Sequence, residues 1–266
     1  MSGGSGGPTE AAGVAVVTGA GRGLGRAVAL AVAAAGFDVV VGHRASAAGA
    51  AEVVAAIEGS GRRALAVGGD VAEPATHAAL ADAAESLGPL TAWVNNAGVS
   101  VLAPVVDTSL EQLAEMCRVN LHGTFLGLQE AARRMTVAGT GGRIVNVASE
   151  CGVQAFPLLG AYSATKFAVV GLTQAAALEL AADGITVNAV CPGTAETDMV
   201  MAERASEVAI TGRAADDVRA SYLDGIPLGR FCDPEDVGAL AAFLVGPGAA
   251  YLTGQAICTN GGSVLR

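Results

Sequence analysis

Seven short apolar runs punctuate the chain, at residues 14–18, 38–41, 64–67, 92–95, 143–148, 185–190 and 256–259. Most are valine-rich and continuous rather than alternating with polar residues, as expected of strands covered on both faces. Between them lie stretches with helical character at 25–35, 47–58, 74–87, 110–137, 162–182 and 234–244. This alternation predicts an α/β fold of three layers, with helices on both faces of a doubly wound parallel sheet and right-handed crossovers. No linker and no repeat of solenoid period interrupts it. Residues 13–266 are therefore expected to form one domain behind a flexible, Gly/Ser-rich tail at 1–12. The segment 199–226 breaks the rhythm. It is polar, partly helical and precedes the last helix, which predicts a helical lid.

Composition narrows the class. With 266 residues, 52% of them hydrophobic, and a mean hydropathy of +0.50, the chain can bury one large core. A net charge of −10 and scattered arginines leave no basic face for nucleic acid. The longest small-apolar run, 27–35, is too short to span a bilayer, and the N-terminus lacks the apolar core of a signal peptide. A soluble, cytoplasmic protein without membrane partners is expected. Cys117, Cys151, Cys191, Cys232 and Cys258 are odd in number, widely spaced and without a C-x-x-C pair. That pattern indicates neither a disulfide frame nor a zinc site, and His43, His77 and His122 show no metal-ligand spacing.

Chemistry begins where the first strand ends, in Thr18-Gly19-Ala20-Gly21-Arg22-Gly23-Leu24-Gly25. Glycines there let the backbone approach a pyrophosphate, and the next helix offers its N-terminus to the anion. The second strand ends in His43-Arg44, where many dinucleotide folds carry an acid for the ribose hydroxyls. Asp38 stands at the opposite end of that strand. Arg44, with His43 and Arg22, supplies positive charge suited to a 2′-phosphate, so NADP(H) is the preferred cofactor expected, with NAD(H) possible. Asp70-Val71 follows the third strand, where the carboxylate can meet an adenine amino group. Asn96-Ala97-Gly98 closes the fourth strand in a tight turn. Pro192-Gly193-Thr194-Ala195-Glu196-Thr197 follows the sixth. All lie at carboxyl ends of strands, where open α/β sheets bind ligands.

Lys166 is the only lysine in the chain, and it stands four residues after Tyr162, one of three tyrosines. On a helix the two share a face. At about 4 Å and an effective dielectric of ~20, an ammonium would attract a phenolate by about 4 kcal/mol. The spacing therefore predicts a phenol whose pKa falls toward neutrality, usable as a general acid or base.

The set TGxxxGxG, NNAG, Asn120, Ser149, Tyr162-x-x-x-Lys166 and Pro192-Gly193 resembles the short-chain dehydrogenase/reductase family from about residue 14 to 262. The resemblance implies a Rossmann-type fold with a seven-stranded parallel sheet. It implies Tyr162 as general acid in ketone reduction, Ser149 holding the substrate oxygen, Lys166 on the nicotinamide ribose and Asn120 anchoring a water of the proton relay. Val119 beside Asn120 belongs to the cofactor set, and the carboxamide contacts map to the backbone after Pro192-Gly193 and to Thr197. A homotetramer or dimer through 110–137 and 162–182 is also implied.

Substrate is less determined. Glu150 follows Ser149 where the family more often has a small or apolar residue. Val101, Cys151, Gln154, Phe156 and Met199 are the other expected wall residues. The stretches 184–193 and 226–231 resemble polyketide ketoreductases and 3-oxoacyl carrier-protein reductases, so an NADPH-dependent ketoreductase acting on a ketone or acyl thioester is the first expectation. The alternative is an NAD-dependent diol or polyol dehydrogenase acting on acetoin- or butanediol-like substrates, because Lys166-Phe167-Ala168-Val169 and the long lid also resemble those. A non-catalytic dinucleotide sensor is a third reading, and the complete Asn-Ser-Tyr-Lys set argues against it.

Overall fold

A computed structural model describes residues 12–265. Of the expected tail, residues 1–11 lie outside the described residues, while Ala12 donates its N–H to Gly36 O at 3.0 Å.

All seven expected strands form: β1 Val14–Val17, β2 Asp38–His43, β3 Ala64–Gly68, β4 Leu90–Asn95, β5 Gly142–Val147, β6 Ile185–Pro192 and β7 Ala256–Thr259. They make one parallel sheet in the order β3-β2-β1-β4-β5-β6-β7. The helices are α1 Gly23–Ala34, α2 Ala47–Gly59, α3 Pro74–Leu87, α4 Leu110–Met116, α5 Gly123–Ala138, α6 Gly160–Leu180, α7 Asp198–Thr211, α8 Ala215–Asp224 and α9 Pro234–Val245.

The continuous apolar strands feed two cores. Ala15, Val17, Val39 and Val41 face one side, packed with Val28 and Val32 of α1, Val53 and Ile57 of α2, and Val237 and Leu244 of α9. Val14, Val16 and Val40 face the other, with Leu80 of α3, Leu128 and Met135 of α5 and Ala177 of α6. Alternate residues of one strand thus serve opposite layers, which is why no polar alternation marks these strands.

One element departs from expectation. The single helix read at 110–137 is split into α4 and α5 by a π-helical turn at Cys117–His122. Asn120 sits in that turn, and its side chain is tied outward. Oδ1 accepts from Val99 N at 2.8 Å, and Nδ2 donates to Val99 O at 2.8 Å and to Thr165 Oγ1 at 3.0 Å. A side chain bound to the Val99 backbone and to Thr165 of α6 favours local widening of the helix, and π-turns often mark such places. The expected lid at 199–226 is present as two helices, α7 and α8. Among the described residues no helix is long and apolar enough to cross a membrane.

Candidate active site

A cleft of about 530 Å³ opens at the carboxyl ends of the strands. β1 lies between β2 and β4, so the chain's crossovers leave it in opposite directions here, the topological position where such sheets bind ligands. The turn after β1 forms its floor. Thr18 Oγ1 accepts from the N–H groups of Asn96 at 2.9 Å and Ala97 at 3.1 Å, and Asn96 Nδ2 donates to Thr18 O at 2.9 Å. These bonds lock the glycine turn to the NNAG turn. Gly19 is left-handed at φ +65°, and a Cβ on it would stand 2.9 Å from Ala97 Cα. The bare backbone leaves room for a bulky anionic ligand over the start of α1, so the residues present fit a dinucleotide.

Of the residues expected at the cofactor, Gly19, Arg22, Gly23, Leu24, Gly25, His43, Arg44, Asp70, Val71, Asn96, Ala97, Gly98, Val119, Tyr162, Lys166 and Thr197 line the cleft. Pro192, Gly193, Thr194 and Ala195 do not. Their backbone is occupied in the sheet edge: Gly193 donates to Thr259 O at 3.1 Å, and Cys232 N donates to Thr194 O at 2.9 Å. Arg44 reaches Asp70 Oδ2 at 3.4 Å, and Arg118, absent from the sequence expectation, reaches the same oxygen at 2.9 Å. Glu115 completes this exposed network through Arg118 at 2.7 Å. Burial works against ionising Asp70, but the Ala72 N–H, Arg118 and Arg44 together hold its carboxyl below the usual value. Asp38, at the far end of β2, is buried and paired with Arg63, with Nε 2.9 Å from Oδ2.

At the other end α6 presents Tyr162 and Lys166. Lys166 is buried at 4% exposure, and its Nζ donates to Val147 O at 2.9 Å while standing 5.6 Å from the centroid of the Tyr162 ring. A Cβ on Gly98 would stand 3.6 Å from that Nζ. Burial pushes the Lys166 ammonium down to about 8 from 10.5. Tyr162 shifts opposite to the expected fall. Burial, then the Cys151 and Glu203 charges, raise its phenol above the ordinary value, while the Ser149 hydroxyl beside it pulls down. The reason is positional: Lys166 lies over the ring face, holds a carbonyl, and is itself driven toward the neutral form. Ser149 ends the loop after β5, and its Oγ accepts from Cys151 N at 3.1 Å.

The cleft takes in part of the expected catalytic and substrate set. Met199 lines it with Tyr162 and Lys166; Asn120, Ser149, Val101, Glu150, Cys151, Gln154 and Phe156 do not. Glu150 turns away from the cleft into the C-terminal segment. Its Oε2 accepts from Ser263 Oγ in a short contact and from Asn260 Nδ2 at 3.4 Å, and burial raises its pKa. Cys151 is buried behind Ser149, its thiol pushed up to about 11 by burial. The sequence reading also missed a buried polar chain beneath the site. Trp93 Nε1 donates to Asn95 Oδ1 at 2.8 Å, Asn95 Nδ2 to Asn146 Oδ1 at 2.9 Å, and Asn146 Nδ2 to Thr173 Oγ1 at 2.9 Å. It ties β4, β5 and α6 together. The asparagines inside otherwise apolar runs were its only signal.

A family model described as short chain dehydrogenase matches residues 13–208. L-2,3-butanediol dehydrogenase of Corynebacterium glutamicum is 41% identical over 95% of this chain and 99% of its own. The crystal structure of acetoin dehydrogenase from Enterobacter cloacae superposes with a TM-score of 0.82 at 34% identity, covering 94% of this chain and 95% of that one. A putative NAD(P)-dependent gluconate 5-dehydrogenase from Beutenbergia cavernae, solved with bound NADP at low occupancy, gives 0.85 at 37% identity over 97% and 99%. The chain belongs to the short-chain dehydrogenase/reductase family and is an NAD(P)-dependent oxidoreductase.

Proposed function

We propose that this enzyme interconverts a small vicinal diketone or hydroxy-ketone and its alcohol, with Ser149, Tyr162, Lys166 and Asn120 as its working set. The carrying observation is that Tyr162 and Lys166 line one end of the cleft together, the Lys166 Nζ 5.6 Å from the phenol ring, with the Ser149 hydroxyl near enough to Tyr162 to lower its pKa. The butanediol and acetoin relatives favour the diol alternative over a polyketide or 3-oxoacyl thioester ketoreductase.

A bound nicotinamide dinucleotide supplies or accepts the hydride. Ser149 and Tyr162 hold the carbonyl oxygen by two O–H donors, stabilising the charge that grows there. The raised phenol pKa keeps Tyr162 protonated, as an acid in the reductive direction must be. Lys166 holds the nicotinamide ribose, and Asn120, fixed on Val99, anchors the water that replenishes the Tyr162 proton. Arg44, with Arg22 and His43, holds a 2′-phosphate, giving a preference for NADP(H). His43 Nδ1 is buried without a partner at this end, which is consistent with a ligand group meeting it.

Exposed apolar side chains on α5 and α6, such as Phe125 and Phe167, support a dimer or tetramer through these helices, and five free cysteines suit a reducing cytoplasm. The test is oxidation of NADPH and NADH over diacetyl, acetoin, acyl thioesters and polycyclic ketones. Turnover should be fastest with diacetyl or acetoin; preference for an acyl thioester or polycyclic ketone would restore the ketoreductase reading.

A further inference from the structure

The lid carries three acids on α7, and two have arginine partners. Asp198 Oδ2 lies 3.2 Å from Arg22, and Glu207 Oε1 lies 3.3 Å from Arg213. Among the described residues no ion pair includes Glu203, although it is partly buried. The neighbouring Arg204 is turned elsewhere, to Glu196 at 3.4 Å and over the Phe231 ring at 5.2 Å.

Glu203 stands four residues after Met199, which lines the cleft, so the two share one face of α7. Met199 turns that face toward the cleft, and Glu203 lies near enough to Tyr162 and Cys151 to help raise both their pKa values. Across from it is Ser100, just beyond the NNAG turn. The Ser100 hydroxyl lies beside the Glu203 carboxyl and pulls its pKa down, and its Oγ is buried with no partner in hydrogen-bonding geometry. A carboxyl without a cation among the described residues and a hydroxyl without a partner, next to Val99 and Met199 of the cleft wall, leave polar groups for a ligand to satisfy.

We propose that Glu203, with Ser100, is the specificity determinant that receives the second oxygen of a vicinal hydroxy-ketone and rejects substrates bearing a carboxylate. The assignment rests on the reaction proposed above and names the side chain that would select its substrate. An ionised Glu203 accepts from the hydroxyl next to the reacting carbonyl. A protonated one donates to the second carbonyl of a diketone. Burial raises the Glu203 pKa, which favours the protonated form. A substrate carboxylate would meet like charge in a desolvated place, which is costly.

The experiment compares kcat/KM for acetoin, butanone and 2-oxobutanoate in the wild type, Glu203→Leu and Glu203→Gln, each with saturating NADPH or NADH. Butanone lacks the second oxygen and 2-oxobutanoate carries a carboxylate beside the carbonyl. Loss of a hydrogen bond to a charged group should lower the acetoin-to-butanone ratio of Glu203→Leu about tenfold or more, with butanone itself little changed. Glu203→Gln should keep acetoin activity within a few-fold and raise that on 2-oxobutanoate about tenfold. Should Glu203→Leu fail to fold, the Gln variant decides alone. Wild-type turnover with both ratios unchanged in the variants overturns the Glu203 assignment and leaves the reaction standing. A wild type that reduces none of the three overturns the reaction, and the assignment falls with it.

Discussion

The two ends of the cleft hold charge in opposite ways. At the adenosine end Arg44, Arg118, Asp70 and Glu115 are half-exposed and paired among themselves, so each charge has a partner and water besides. At the reaction end Lys166 is buried beneath Tyr162 with a carbonyl for company, and Glu203 has no cation. Exposed pairs are screened by water and contribute little each. Buried groups without partners shift: Lys166 down, Tyr162 and Glu203 up. This contrast fits the proposed roles, with a charged group recognised at one end and protons moved at the other.

The sharpest break in this comparison is Tyr162→Phe. Removing the acid should cost about a thousandfold in kcat, within the ~10²–10⁴ range for general acid catalysis. Cofactor dissociation constants, read by protein fluorescence quenching, should stay within about twofold, because the phenol is not what holds the dinucleotide. Residual kcat above a tenth of wild type would remove Tyr162 from its role.

Lys166 offers a direct measurement. As the single lysine of the chain, it gives one signal set when the protein carries ¹³C-lysine. The midpoint of its titration without cofactor should fall near 8, well under 10.5. The unfolded chain holds this proton up to about 10.5 and the folded one only to about 8, so Lys166 weakens the fold fully below pH 8. That weakening should fade as pH rises from 8 to 10.5. A Lys166→Met variant should therefore gain most in Tm over wild type below pH 8. A midpoint above 10, or a Tm difference flat across that window, would contradict the buried ammonium.

Much of the site was legible because its motifs are local. The glycine turn, the NNAG turn and Tyr162-x-x-x-Lys166 each occupy a few consecutive residues, and strand length and valine content marked all seven strands. What escaped reading depends on contacts between distant segments. Asn95 and Asn146 meet across 51 positions, and Arg118 and Asp70 across 48. The π-turn at Asn120 arises from a bond to Val99, 21 residues away, which helical periodicity cannot register. Glu150 looked like a cleft residue because it follows Ser149, yet the C-terminal segment claims it from 113 residues on.

The Asn95–Asn146–Thr173 chain separates support from chemistry. Asn146 is fully buried, and Asn146→Leu would strand Asn95 Nδ2, while Thr173 Oγ1 would keep its bond to Val169 O. An unsatisfied buried group of this kind costs about 1–3 kcal/mol. Chemical denaturation should show a loss of about 1–3 kcal/mol on that scale. Because the chain seats α6 on β5, kcat should fall as well, while the cofactor's KM changes less. A stability loss under about 0.5 kcal/mol would mean these bonds are readily replaced by water or repacking.

The smallest effect belongs to the adenosine end, and it separates recognition from stability. Arg44 is bound to Asp70 at 3.4 Å and approaches Glu115 at 3.9 Å, with 55% of its side chain exposed. Breaking such pairs costs about 0.2–1 kcal/mol, so Arg44→Ala should leave Tm nearly unchanged. A 2′-phosphate would compete with Asp70 for the same guanidinium and win on charge, since it offers several acceptor oxygens to one bidentate fork. The KM for NADPH should then rise about tenfold in Arg44→Ala, corresponding to about 1.4 kcal/mol, with the KM for NADH moving less than twofold. Equal shifts for both cofactors would show that Arg44 serves Asp70 alone. Arg22 in the cleft wall and Arg118, the stronger partner of Asp70 at 2.9 Å, would then be the arginines left through which this end could tell the two cofactors apart.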